Sequence, residues 1–382
     1  MPQIFELFGY PITDTSNEAN AARSNARCPF MGRECDGGGN RYSSDLQLKN
    51  CSGIQKLYPG RETLPSGVCS IRLVTEGEPW IVCPRRAMAL SRNRQAGDTH
   101  QQTSESRIMS LLGYPPGTTL GVWSEVKLLD KQEVQTQVGL RQKKFDYTFD
   151  YILVPLRQVT SAEAEQATGT VWRLLARQLT ASGFTIAQRE GVIFVEDFPV
   201  GPPAIIEIMT SSTSGGNKKT RTTIANAVED ALLGQKHKAP GINYRQVWAR
   251  MVSQLIVKSE VGLNWGGKTI WIVQDLLVDY ISSSTALDIR RFLAERLDEV
   301  NMVSLAYGRN AHADRGVIEL GVDGVFAGPM TAGADGENVR ASFQDMVRAP
   351  IKPSLKRLLK IIVAKSPVNR LTLPRATPLG QP

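Results

Sequence analysis

The 382-residue sequence predicts a mixed α/β (α+β) fold with a small cysteine-rich domain in front of it. Apolar, β-branched runs such as FDYTFDYILVPL and AIIEI are typical of strands, and they alternate with stretches whose apolar residues recur at helical spacing. All five cysteines lie between residues 28 and 83. This order indicates a large α/β core that follows a small domain. The small domain has too little apolar surface to fold without a stabilising group such as a metal ion.

Composition and charge divide the chain into three parts. We place residues 1–110 in an N-terminal region whose cysteine-rich domain covers about residues 28–86, residues 111–335 in the core, and residues 336–382 in a basic C-terminal helix and tail. No apolar run approaches the ~20 residues of a membrane-spanning helix, and the first residues lack the basic region and long apolar core of a secretion signal, so we expect a cytoplasmic protein without a membrane partner. The net charge of +8 favours nucleic acid as the partner.

Hydrophobic periodicity predicts the individual elements in order. The N-terminal region is expected to begin with a helix, followed by a basic, alanine-rich helix at residues 18–27 and short strands near residues 68–74 and 80–82. The core is expected to contain a hairpin at residues 131–144 and strands at residues 122–129, 145–156, 192–198, 204–208, 269–273, 303–307 and 316–322. Helices are predicted at residues 160–181 after a capping box, then at 224–232, 244–257, 286–299 and 351–365.

The clustered cysteines indicate a structural metal site. In a cytosolic chain, such clustering is more typical of a metal site than of disulfides, and four thiolates suit tetrahedral zinc or iron. The spacing is loose and contains no CxxC pair, so unligated thiols remain the alternative.

Three acidic residues stand on predicted strands: Glu125, Asp150 and Glu207. Glu207 lies between two isoleucines, where a carboxylate is costly to bury unless it binds a metal or a strong donor; a structural ion pair is the alternative. Several carboxylates on neighbouring strands can hold Mg²⁺, which activates water against a phosphodiester. Many such nucleases carry Asp on one strand and Glu-x-Lys on the next, the PD-(D/E)xK arrangement. Met209 occupies the lysine position here, and a thioether can carry neither a proton nor a charge.

Five short motifs, CPF, GVCSI, IVCPRRA, FDYIL and IIEIMT, occur in this order between residues 28 and 210. In sequence and order they resemble the NotI family of restriction endonucleases. The resemblance implies a PD-(D/E)xK restriction-endonuclease-like core, a four-cysteine site for iron or zinc, and a homodimer. It also implies the activity of a Type II restriction endonuclease, which is Mg²⁺-dependent cleavage of double-stranded DNA at a specific, palindromic and GC-rich site.

The same resemblance assigns roles to particular residues. Asp150 and Glu207 become the Mg²⁺ ligands, with Asp146 as the substitute for Asp150, and Glu125 matches an upstream acidic residue. Met209 falls where the family has Gln, so the missing charge is expected from Lys127, Lys218 or Lys219. The structural metal ligands become Cys28, Cys35, Cys69 and Cys83, with Cys51 either a spare or a replacement for Cys35. Independently of the resemblance, Arg41, Arg85 and Arg86 lie near the predicted metal site and are candidates for reading bases, with merely solvated side chains as the alternative.

Two other functions fit the same sequence features. One is a metal-stapled, sequence-specific DNA-binding protein without catalysis, which the methionine at position 209 favours. The other is a PD-(D/E)xK nuclease of repair or modification-dependent restriction.

Overall fold

The structure of the chain, a computed structural model, describes residues 1–39, 45–90, 102–136, 139–331, 334–335, 338–339, 342–343 and 345. Helices and a large mixed sheet alternate along it, which confirms the α/β class. No helix within these ranges is long and apolar enough to cross a membrane. The predicted helix at residues 351–365 and the candidate Arg41 lie outside the described residues.

The N-terminal region is built on a four-stranded antiparallel sheet, ordered β2-β1-β7-β8. Its elements are β1 (Gln3–Leu7), β2 (Tyr10–Pro11), α1 (Asn17–Ser24), β3 (Arg27–Cys28), β4 (Arg33–Glu34), β5 (Asp45–Gln47), α2 (Ser52–Gln55), β6 (Thr63–Pro65), β7 (Val68–Arg72), β8 (Pro79–Ile81) and α3 (Pro84–Ala87). The predicted helical start is wrong because QIFEL pairs with β7 as a strand. A short apolar run has no periodicity that separates the two possibilities.

The core follows with α4 (Gln102–Leu111), β9 (Leu120–Thr136), β10 (Gly139–Thr160), α5 (Ser161–Thr168), α6 (Trp172–Ala181), β11 (Ile186–Arg189), β12 (Val192–Pro199), β13 (Ala204–Ile208), α7 (Ile224–Leu232), α8 (Tyr244–Asn264), β14 (Lys268–Gln274), α9 (Asp275–Ser284), β15 (Val300–Ala306), β16 (Gly321–Gly328), β17 (Ala334–Asp335) and β18 (Asn338–Val339). The large sheet runs β11-β12-β10-β13-β14-β15-β16, and β9 pairs with β10. Strands β13, β14 and β15 are parallel, and the other pairings are antiparallel.

Three core predictions differ from the structure. The helix expected at residues 160–181 is two helices, because Gly169 takes a left-handed φ of 64° and ends α5. The helix expected at residues 286–299 is wrong: Leu287 and Ile289 are both buried, and residues two apart do not share a helix face. The predicted strand at residues 316–322 is displaced to β16.

The two faces of the large sheet carry separate apolar cores. Ile206, Ile270 and Val303 belong to the core that includes Ile108 of α4. The core on the opposite face includes Trp271 of β14 with residues of α8 and α9. Glu207 pairs in register with Trp271, so it lies on the face covered by α8.

Candidate active site and cysteine cluster

Three carboxylates lie in one row across neighbouring strands. Tyr151 of β10 pairs with Ser124 of β9 and with Ile206 of β13. The preceding residue, Asp150, therefore stands between Glu125 and Glu207. Side chains directly opposite one another in antiparallel strands share a face. The structure thus brings together the three acidic residues that the sequence singled out.

Glu125 interrupts its strand. Its φ is +54°, in the left-handed region that glutamate rarely adopts, and the ladder between β9 and β10 skips the Glu125–Asp150 pair. Such strain costs about 1–3 kcal/mol and is concentrated at functional sites. The side chain is half exposed, and its Oε1 lies 3.7 Å from Arg85 Nη2.

Glu207 is held by a lysine from α8. The Lys258 Nζ donates to Glu207 Oε2 at 2.6 Å and to the carbonyl oxygen of Thr148 at 2.7 Å, and both side chains are no more than 3% exposed. Glu207 Oε1 is buried and has no hydrogen-bond partner among the described residues. An unsatisfied buried acceptor costs about 1–3 kcal/mol. A ligand such as a cation could supply the partner that this oxygen lacks.

Lys258 is the charged residue beside the carboxylate row that the sequence hypotheses missed. Of the lysines proposed instead, Lys218 and Lys219 are exposed and do not line the cleft, and Lys127 pairs with Asp146 at 3.9 Å. The sequence did contain a signal for Lys258. It falls at helical spacing on the buried stripe of α8, where Val247, Met251, Leu255 and Gly262 face the core.

The other two candidates near the row, Met209 and Asp146, have different surroundings. Met209 packs against the apolar core between the sheet and α8, so its side chain does not supply the missing charge. Asp146 is on the same face of β10 as Asp150 but four residues away, roughly 13 Å along the strand. A hydrogen bond from Lys144 at 2.6 Å lowers the pKa of Asp146. Asp150 is therefore the carboxylate that accompanies Glu207.

Burial sets the protonation of the two inner carboxyls. It raises the pKa of Asp150, although the backbone N–H of Ile208 donates to Asp150 Oδ2 at 2.8 Å. Burial and the Asp150 charge raise the pKa of Glu207 to about 8, against the opposing effect of Lys258. Two carboxyls that both resist ionisation gain most from a cation between them.

The row opens into a cleft of about 850 Å³ between the core and the cysteine-rich region. Hard oxygen donors at its base match the preference of Mg²⁺. Its lining comprises Asp36, Gly38, Val82, Pro84, Arg85, Glu125, Asp146, Tyr147, Thr148, Asp150, Glu207, Ile208, Met209, Thr210, Ser212, Val247, Arg250, Ser253, Gln254 and Lys258.

Four of the five cysteines form one cluster. Cys28, Cys69 and Cys83 are buried together with Cys35 packed against them. Cys51 lies elsewhere, in the core that the N-terminal region shares with α7. The grouping is the one that the family resemblance implied.

Two of the thiols sit in matching turns. Backbone N–H groups of Phe30 and Met31 donate to the sulfur of Cys28 in CPFM, and those of Arg85 and Arg86 donate to Cys83 in CPRR. Gly38 packs on the second turn: a Cβ at this position would lie 2.9 Å from Cys83 Sγ. Such N–H donors to sulfur suit metal-bound thiolates.

The pKa values of the four clustered thiols are shifted in different directions. Burial and repulsion from Cys83 raise the pKa of Cys28 to about 12 and also raise the pKa of Cys35. A shared hydrogen bond raises the pKa of Cys69 and lowers that of Cys83. Within the described ranges, no three His, Cys, Asp or Glu side chains stand close enough to form a ready metal-ligand set. A bound ion would have to draw these side chains together, at this cluster and at the carboxylate row.

The two arginines after Cys83 have different surroundings. Arg86 is wholly buried, and its Nε lies 3.0 Å from Glu6, so it is not available to read bases. Arg85 lines the cleft and reaches the carboxylate row.

Comparison of the chain with protein-family models, with curated proteins and with solved structures finds no match.

Proposed function

We propose that this chain is a Mg²⁺-dependent endonuclease that cleaves double-stranded DNA, a Type II restriction endonuclease of the PD-(D/E)xK class. One observation carries the proposal. Asp150 and Glu207 stand side by side on neighbouring strands, at the base of an open cleft, with a lysine bound to the second carboxylate.

Asp150 and Glu207 are the proposed cation ligands, and Glu125 is the third acidic group of the row. When bound, Mg²⁺ neutralises phosphate charge and makes an associated water a better nucleophile. The donor set fits this ion because Glu207 offers a buried oxygen without a partner and Asp150 an adjacent carboxylate.

Lys258 takes the role that Met209 cannot fill. Its ammonium group fixes the orientation of Glu207 through a 2.6 Å hydrogen bond. It also brings positive charge to a site where negative charge accumulates on the phosphate during hydrolysis. Its nitrogen reaches the carboxylate from α8. The lysine of the PD-(D/E)xK motif would instead come from position 209, two residues after Glu207.

The DNA is proposed to bind along the cleft. Arg250 lines it, and Lys127 and Lys144 extend from the neighbouring β9–β10 hairpin. These side chains suit contacts to phosphates, which would make binding strongly dependent on salt. We also propose that the protein acts as a homodimer on a palindromic DNA site, because two active sites are needed to cut both strands symmetrically.

The cysteine cluster is proposed to hold structural iron or zinc through Cys28, Cys35, Cys69 and Cys83. Three buried thiols and the partly buried Cys35, with backbone N–H groups directed at two of the sulfurs, fit such an ion. The ion would stabilise a region of short strands and loops that buries little apolar surface by itself.

A sequence-specific DNA-binding protein without catalysis is the second candidate. Met209 and the near-complete burial of the Glu207–Lys258 pair favour it, because a purely structural ion pair looks the same. This candidate predicts DNA binding that is indifferent to Mg²⁺.

The test is to incubate the purified protein with plasmid and bacterial genomic DNA in Mg²⁺ or in EDTA. The nuclease proposal predicts discrete double-strand fragments only in Mg²⁺, none from Glu207→Gln, and normal cleavage from Glu196→Gln, which removes a carboxylate of β12 outside the cleft. Intact DNA with unchanged gel shifts in both buffers would favour the second candidate.

A further inference from the structure

Arg85 joins the cysteine cluster to the carboxylate row. Its Nε donates to Asp36 Oδ2 at 3.0 Å, and its Nη1 donates to the Tyr151 hydroxyl at 3.1 Å. Nη2 lies 3.7 Å from Glu125 Oε1. The side chain is only 15% exposed, so these contacts hold the guanidinium in one place at the wall of the cleft.

Two of the contacts that hold Arg85 come from loops that carry cysteines. Its own backbone N–H donates to the sulfur of Cys83. Its partner Asp36 follows Cys35 directly, and Asp36 Oδ1 accepts from the N–H of Gly38 at 2.9 Å. The position of the guanidinium therefore depends on the loops that carry Cys35 and Cys83 as well as on Tyr151 of β10.

The unused part of the guanidinium faces the candidate site. At 3.7 Å the Nη2–Glu125 distance exceeds a hydrogen bond, and the hydrogen bonds of the Arg85 side chain to described residues come from Nε and Nη1. Nη2 therefore keeps its hydrogen-bonding capacity next to the acidic row. A planar guanidinium with free donors is well suited to a phosphate oxygen.

We infer that Arg85 is a further catalytic residue, which donates from Nη2 to a non-bridging oxygen of the scissile phosphate. Asp36 is then its positioning residue, and the cysteine cluster links metal occupancy to the placement of this cation. The inference rests on the proposed endonuclease function. It gives the cysteine cluster a part in catalysis beyond holding the N-terminal region together.

The test compares variants on plasmid DNA in Mg²⁺ under single-turnover conditions, with DNA affinity measured separately in Ca²⁺. Loss of one preorganised donor to a developing charge lowers a rate by about 10²–10³-fold. Arg85→Ala is expected to slow cleavage by about 10²-fold while the DNA Kd changes by less than about threefold. Arg85→Lys should restore part of the rate, and Arg173→Ala, on the exposed face of α6, should leave it unchanged.

A double-mutant cycle separates catalysis from structure. Because Asp36 is proposed to act through Arg85, Asp36→Ala should slow cleavage in the wild type but add nothing to Arg85→Ala. The iron or zinc content and the Tm should stay at the wild-type level in both single variants.

Three results would overturn the inference alone: cleavage by Arg85→Ala at the wild-type rate, additive effects in the cycle, or a lost rate matched by lost cysteine-bound metal. If the wild type itself leaves DNA intact in Mg²⁺, the proposed function fails, and the inference fails with it.

Discussion

Lys258 and Glu207 form a buried ion pair with a 2.6 Å Nζ–Oε2 distance, and this pair joins α8 to the central sheet. Phe149 and Trp271 border the ammonium group, with ring centroids 5.4 and 5.9 Å from Nζ. Apolar walls strengthen the attraction but also make either charge costly without the other. The pair therefore stabilises the packing of α8 on the sheet, and it also lies at the centre of the candidate active site.

The first prediction concerns stability. Above pH 8, where Glu207 is ionised, Lys258→Met should lower the free energy of unfolding by about 3–5 kcal/mol, because it leaves the Glu207 carboxylate buried without its partner. The double variant Glu207→Gln/Lys258→Met should recover much of that loss. Urea denaturation of the metal-free protein measures both. Equal losses in the single and double variants would show that the pair is not coupled.

The second prediction concerns activity. Lys258→Gln should reduce Mg²⁺-dependent DNA cleavage by about 10²-fold or more, the usual contribution of a positioned proton-handling or charge-stabilising group. DNA binding should persist. Lys218→Gln is the matched control, since Lys218 is exposed outside the cleft. A Lys258→Gln protein with a normal single-turnover rate would remove this lysine from the mechanism.

The third prediction concerns pH. The pKa of Glu207 is raised from 4.5 to about 8, so the folded state binds more protons than the unfolded state between these values. The stability of the metal-free protein should therefore fall as pH rises from 4.5 to 8, by at most about 1.4 kcal/mol per pH unit for one proton. Glu207→Gln cannot titrate and should flatten the slope. Parallel wild-type and variant curves in urea titrations at several pH values would contradict this.

The fourth prediction concerns the cysteines. Cys28→Ser should release the structural metal and lower the Tm, because a thiolate-bound ion contributes directly to folding. Cys51→Ala should keep the full metal content, since Cys51 packs in a different core. Elemental analysis of the purified proteins gives the answer. Loss of metal from Cys51→Ala, with normal content in Cys28→Ser, would reverse the assignment.

The sequence predicted the parts of this fold that depend on local patterns. The capping box at Thr160 has both of its hydrogen bonds, and AIIEI forms the buried strand that carries Glu207. The structure groups Cys28 with Cys35 and places Cys51 in another core, which is one of the two alternatives that the sequence left open. In each case the signal lay within a few residues or within one short motif.

The features that sequence reasoning missed depend on packing between distant segments. Lys258 meets Glu207 across 51 residues of chain, which no local pattern specifies. The left-handed φ of Glu125 arises inside a long strand, where the residue type gives no warning. Helix α9 ends in three serines, which have lower helix propensity, so its local sequence is a weak signal. It is stabilised by packing on the apolar core that it covers.

The most direct test of the account is to digest a sequenced bacterial genome with the purified protein in Mg²⁺ and to sequence the fragment ends. If Asp150 and Glu207 hold the cation that cleaves DNA, the ends will share one short palindromic sequence, and neither Asp150→Asn nor Glu207→Gln will produce them. Intact genomic DNA, or the same fragments from both variants, would contradict the account.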